Sequence, residues 1–423
     1  MTKDLNGETL GAWIIHHGRK LQADQAGAAE FPSIDGAAKS GLLLAGMAAS
    51  DETSLSAAEV EAVAKAAKLN PKTELKFHLE QLRSRQVIDI SSSGDVQVLG
   101  VSSRKVLQET AALFGQHGPT GEERAVIDVA EQTSGIPQLR SAETKRISDE
   151  FKLSSPAATD LLSRMEGMGL VDFEVSGSDR ILFNGNLFRR GNIQKTQTVL
   201  NSLSAADRQR AGDFSAKLES AGCIDRAAAR KELGDTLFEK LLAAGFYDVN
   251  TVSNDSGEHV FVTAPGAFHK FVDPMVDDAF DSAKALVAAL TYGISKSASS
   301  RGRITMPAAL LNRLVAGNEI GPATAIGQDY RVLELRRVIK LRPAGRGMYF
   351  MRLLKKDVGQ IAQQVLLHGG ASDQVVALPS ASMTAYKGPE ESRERLRKQQ
   401  RPESKKLTSD ILQALREEGG SKW

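Results

Sequence analysis

LNPKTELKFHLEQLRSRQVIDISSSGDVQVL, residues 69–99, changes its hydrophobic period halfway along. Leu75, Leu79 and Leu82 fall three and four apart, the repeat of one helix face. Past Arg85 the apolar residues alternate, in Val87-Ile88-Asp89-Ile90 and Val96-Gln97-Val98, on either side of Ser91-Ser92-Ser93-Gly94. Asn70-Pro71 follows Leu69 as a helix stop and a new helix start placed back to back. The stretch therefore predicts a tight turn, a helix over 71–85 and a two-stranded hairpin.

The same pattern recurs three times. Val87-Ile88-Asp89-Ile90 aligns with Leu170-Val171-Asp172-Phe173, Phe246-Tyr247-Asp248-Val249 and Val338-Ile339-Lys340-Leu341. Polar turns follow at 91–95, 176–179, 253–257 and 343–347, and each leads into a second alternating run. Upstream, Leu69, Leu153, Leu233 and Ile326 are the predicted ends of the preceding helices. Internal repetition of this kind outweighs any single match.

Helix, tight turn, helix, hairpin resembles the winged helix-turn-helix superfamily of DNA-binding domains, over about residues 31–367. The fold class expected is mainly α with small β-hairpins (α+β), as a tandem array of three to four winged-helix domains. The expected divisions are an N-terminal arm (1–30), winged helix 1 (31–101), a connecting helix and linker (102–121), winged helix 2 (122–188) and winged helix 3 (189–264). A helix plus a basic winged helix 4 (265–368) and a linker with a charged C-terminal tail (369–423) complete the chain. A length of 423 residues suits several small domains better than one.

Net charge is only +2, but it is unevenly spread. Residues 294–423 carry 23 Lys/Arg against 12 Asp/Glu, a net of +11, and residues 1–293 carry 31 against 40, a net of −9. Such asymmetry points to one end facing a polyanion. Aromatic residues make up 5%, which argues against stacking of single strands as the main activity. The lone Cys223 excludes an internal disulfide and a cysteine-based zinc cluster. No apolar run reaches about 18 residues and no signal-peptide layout opens the chain, so a cytoplasmic protein with no membrane partner is expected.

In the resemblance, the third helix of each module enters the major groove and the hairpin reaches phosphate or the minor groove. For module 1 this nominates Lys72, Thr73 and Lys76, with His78, Arg83 and Arg85 also offered around the apolar stripe. Module 2 has Thr159, Ser163 and Arg164 on its third helix and Arg180 on its wing, a weak reader. Module 3 carries Asp255 and Glu258 on its wing, which phosphate would repel, so modules 2 and 3 are expected to serve a homodimer or a protein partner. The helix over 276–292 is either a dimer or spacer helix or the first helix of module 4. Module 4 holds the excess: 13 Lys/Arg against four Asp/Glu over 294–360. Its nominated contacts are Arg301, Arg303, Arg331, Arg336, Arg337, Lys340, Arg342, Arg346 and Arg352, with Arg346 at the wing tip.

Enzymatic signatures are missing. There is no P-loop and no dinucleotide fingerprint in context. The histidines have no triad spacing, and His16-His17 point about 100° apart on a helix, a poor metal pair. Asp277-Asp278 sit at a predicted helix start, where capping explains them. No catalytic residue, metal or cofactor is nominated. Duplex DNA is the expected partner and transcription regulation the expected use. A plasmid replication initiator, or a scaffold subunit of a chromosome-maintenance or phage-defence complex, is the alternative.

Overall fold

The computed structural model describes residues 5–22, 25–49, 54–188, 193–271 and 277–370. The Arg189-Arg190 junction, Asp273-Pro274, the side chains of Asp277 and Asp278, and the tail from residue 371 on lie outside the described residues. The chain is mainly helical with small antiparallel sheets, and it divides into two compact units.

The first unit begins with α1 (Gly7–Leu21), α2 (Gln25–Glu30) and α3 (Pro32–Ala48). Next come α4 (Ala57–Ala66), α5 (Leu75–Ser84), β1 (Ile88–Ile90), β2 (Val96–Val98) and α6 (Ser103–Gln116). A second set follows: α7 (Gly121–Gly135), β3 (Gln138–Leu139), α8 (Arg140–Phe151), α9 (Ser155–Gly167), β4 (Asp172–Ser176) and β5 (Asp179–Phe183). Helix α10 (Ile193–Asn201) leads out of this unit.

The second unit contains α11 (Ala205–Ala221), β6 (Ile224–Asp225), α12 (Arg226–Leu233), α13 (Asp235–Ala243), β7 (Asp248–Asn254) and β8 (Gly257–Thr263). After α14 (Gly266–His269) and α15 (Asp277–Ser295) come α16 (Pro307–Val315), β9 (Ile320–Ala323), α17 (Thr324–Asp329) and α18 (Arg331–Leu335). The hairpin β10 (Ile339–Gly345) and β11 (Met348–Leu353) and helix α19 (Lys356–His368) end it.

One order, helix, short strand, helix, helix, hairpin, is therefore written into both units. The three complete sheets run β3-β5-β4, β6-β8-β7 and β10-β11-β9, so the short strand always pairs with the second hairpin strand. In the first set a single bridge, Leu55 to Val96, stands in the place of that strand.

Local chemistry sets the boundaries. Ser56 with Glu59 and Thr120 with Glu123 form capping boxes at α4 and α7, each satisfying two amides that a helix start leaves open. Between α6 and α7 the expected linker shrinks to residues 117–120, because Thr120 starts the next helix at once. Helix α5 starts at Leu75, not at residue 71. Asn70 Oδ1 accepts the Lys72 amide at 3.0 Å and the Asn70 carbonyl accepts those of Thr73, Glu74 and Leu75, so a side-chain turn holds the first residues out of the helix. Ile326 does not end a helix either: α17 runs on through Asp329. The position equivalent to the first helix of the fourth set belongs to α16, and α15 is an extra helix packed on α19 and β7.

Helix α1, in the segment expected as an arm, supplies part of the main core. Trp13, Ile14 and Ile15 are buried on α1, which packs along α3 and α6. Glycine makes the approach possible: a Cβ on Gly11 would overlap the backbone of Leu107 on α6.

Candidate nucleic-acid interface

The hairpin β10–β11 is where exposed positive charge gathers. Its two strands pair in register, with Lys340 opposite Arg352 and Arg342 opposite Phe350. Alternation sends Ile339, Leu341, Met351 and Leu353 into the core, so Lys340, Arg342, Phe350 and Arg352 share the outer face. Arg342 is fixed there. Its guanidinium donates to Glu319 at 2.6 Å and 3.3 Å and lies 4.2 Å from the Phe350 ring centroid. The hydrogen bond from Arg342 draws the Glu319 carboxyl below its ordinary pKa.

At the tip, Gly345, Arg346 and Gly347 all adopt positive φ, of 82°, 53° and 70°. For arginine this left-handed backbone costs about 1 kcal/mol that glycine would not incur. Arg346 is nonetheless placed there, exposed. Arg337, also at positive φ, and Arg336 precede β10; Lys355 and Lys356 follow β11. Among the described residues, Arg336, Arg337, Arg346 and Arg352 have no carboxylate within ion-pairing distance. Arg303 is exposed too, donating only to the Ile294 carbonyl at 3.1 Å.

Two nominated arginines depart from that set. Arg301 turns inward, donating to Asp329 at 2.9 Å, Gln328 at 2.6 Å and the Tyr292 hydroxyl at 2.9 Å. Burial raises the Asp329 carboxyl above its ordinary pKa, despite the bonds from Asn254 and Arg301. Arg301 is thus a scaffold residue rather than a surface contact. Arg331 is 3.1 Å from Asp255 at the β7–β8 turn, whose other oxygen accepts from Gln328. The acidic third hairpin is thereby bound to the fourth set within its own unit.

The module 1 nominees are separated. Lys72 and Thr73 are exposed in the turn before α5, and Lys76 is on the helix with its side chain 89% exposed, 3.9 Å from Glu80. His78 is buried, contrary to expectation, with Nδ1 2.7 Å from Ser40 Oγ. Desolvation lowers its pKa to about 4. Next to it Phe77 is 55% exposed, an aromatic on the same outward side that the leucine spacing had not singled out.

Phe350 was missed by counting charge alone, its alternation with Arg352 being its one visible signal in the sequence; Glu319 was counted as an acid of this stretch but not as the partner of Arg342. Among the described residues no cluster of His, Cys, Asp or Glu could hold a metal ion, and no helix is long and apolar enough to cross a membrane. Searches against protein-family models, curated proteins and solved structures returned no match.

Proposed function

We propose that this chain is a non-enzymatic, cytoplasmic DNA-binding protein built from four winged-helix modules, with transcription regulation as its use. The observation that carries the reading is the outer face and tip of β10–β11. Arginine is kept there in a backbone conformation that suits glycine, beside Arg352 and a guanidinium stacked on Phe350. Strain retained at an exposed cationic tip is an expected mark of a contact residue. Helix α18 has only five residues, about 7 Å, too short to span a groove, whereas the hairpin is about 20 Å long. Module 4 then grips phosphate or the minor groove with its wing, and any choice of sequence falls to the turn and helix of module 1.

The test is fluorescence anisotropy of the full chain on mixed-sequence duplex across a salt series. Arg346→Gly with Arg352→Gln should reduce the log-log salt slope by about 2 and leave the melting temperature unchanged or higher. Binding that keeps the parental slope would sink the reading. A protein-binding scaffold is the second reading, favoured by the exposed Val175 and Val249 on the hairpins of modules 2 and 3. No duplex binding even at low salt would turn the search to that role.

A further inference from the structure

A cleft of about 530 Å³ opens in the first unit between the end of α5, the base of the β1–β2 hairpin and the first turns of α6. Arg85 from the end of α5 and Arg104, Lys105 and Gln108 from α6 line it together with Leu99, and no carboxylate is among its lining residues. The balancing acids lie outside the lining. Glu109, 3% exposed, accepts from Arg85 Nε and from Lys105 Nζ at 2.7 Å. Glu8 lies 2.9 Å from Arg104 Nε as an ion pair without hydrogen-bond geometry, and accepts from Gln108 Nε2 at 3.1 Å.

This arrangement has two consequences. Three cations meet two carboxylates, so one positive charge is left over at the cleft. Each cationic side chain already has a carboxylate beside it, which reduces the ordering a ligand must impose on arrival. The N-terminus of the 14-residue α6 adds its partial positive charge on the same side. Leu99 is 47% exposed, an apolar surface beside the charged one. A phosphate group alone would fill a small part of this volume, and the remainder suits an attached sugar and base.

We infer that the cleft binds the phosphate of a nucleotide, with Arg104 and Lys105 as its donors and Leu99 against the nucleoside. The same chemistry has two sources, a free mononucleotide or a nucleotide within a strand. The inference rests on the first unit and does not depend on the role given to β10–β11.

Calorimetric titration of the full chain with 5′-AMP and with inorganic phosphate tests it. AMP should saturate in the sub-millimolar range and bind more tightly than phosphate. Arg104→Gln should weaken AMP about tenfold or more, its former partner Glu8 being free to take up water. Leu99→Glu places a carboxylate at an exposed position in the cleft and should weaken AMP to the same degree without changing the melt, so the test survives if Arg104→Gln folds poorly. Displacement of AMP by a short duplex assigns the ligand to a strand phosphate, and simultaneous binding assigns it to a free nucleotide. No saturation by AMP up to about 10 mM, or affinities left within about twofold by both substitutions, overturns the inference.

Discussion

Arg301 and Arg346 come from the same basic stretch and do opposite work. The Asp329 side chain that Arg301 pairs with is 1% exposed, so removing the guanidinium leaves a carboxylate in a low-dielectric site with Asn254 as its remaining donor. Arg301→Ala is expected to destabilise the second unit by about 3 kcal/mol, read as a lower denaturation midpoint in urea. A loss below about 0.5 kcal/mol would return Arg301 to the surface set. Charge counting located the basic region but could not separate these two residues. Whether an arginine is spent internally depends on a partner such as Asp329 or Glu319, which sequence spacing does not bring beside it. The exposed tip arginine was legible because turn glycines flank it; the ion-paired ones were not.

At the scale of elements, the close meeting of α1 and α6 depends on Gly11. A methyl group there would overlap the Leu107 carbonyl, and backbone cannot rotate away as a side chain can. Gly11→Ala should cost about 2 kcal/mol, whereas Gly115→Ala, in open space on α6, should add about 0.5 kcal/mol. Thermal melts of the two variants check this, and equal shifts would contradict the packing. The hairpins were readable because strand alternation and turn residues are local signals. The place of α1 was not, since Gly11, Trp13 and Ile14 acquire meaning only beside Leu107, far along the chain. The start of α5 was misread for a local reason: Pro71 signals a helix, but Asn70 and Glu74 make a competing turn, with Glu74 Oε2 accepting the Asn70 amide at 2.7 Å.

Across the whole molecule, histidines divide the acid response. In the first unit His16, His17, His78 and His117 all have pKa values below the ordinary 6.5, each led by desolvation, with His16 near 3 and His78 near 4. Both ring nitrogens of His17 are buried without a hydrogen-bond partner, against Trp13. In the second unit His259 is lowered, with Lys296 and Arg301 adding to its desolvation while Asp225 and Asp329 oppose it. A group whose folded pKa is depressed this way makes no pH-dependent contribution well above 6.5, where it is neutral in both states. As pH falls from 6.5 the unfolded chain binds protons that the folded chain does not, so stability declines until the folded pKa is reached. As pH falls toward 5 the first unit, with four depressed histidines, should lose stability more steeply than the second, where His259 is lowered. Hydrogen exchange resolved by unit, at pH 7 and pH 5, measures both slopes in the intact chain. His17→Leu, which removes a buried polar ring without leaving a partner unsatisfied, should flatten the first slope and leave the second untouched. Equal slopes in the two units would mean that the four histidines of the first are solvated, and that α1 and α5 are not held as described.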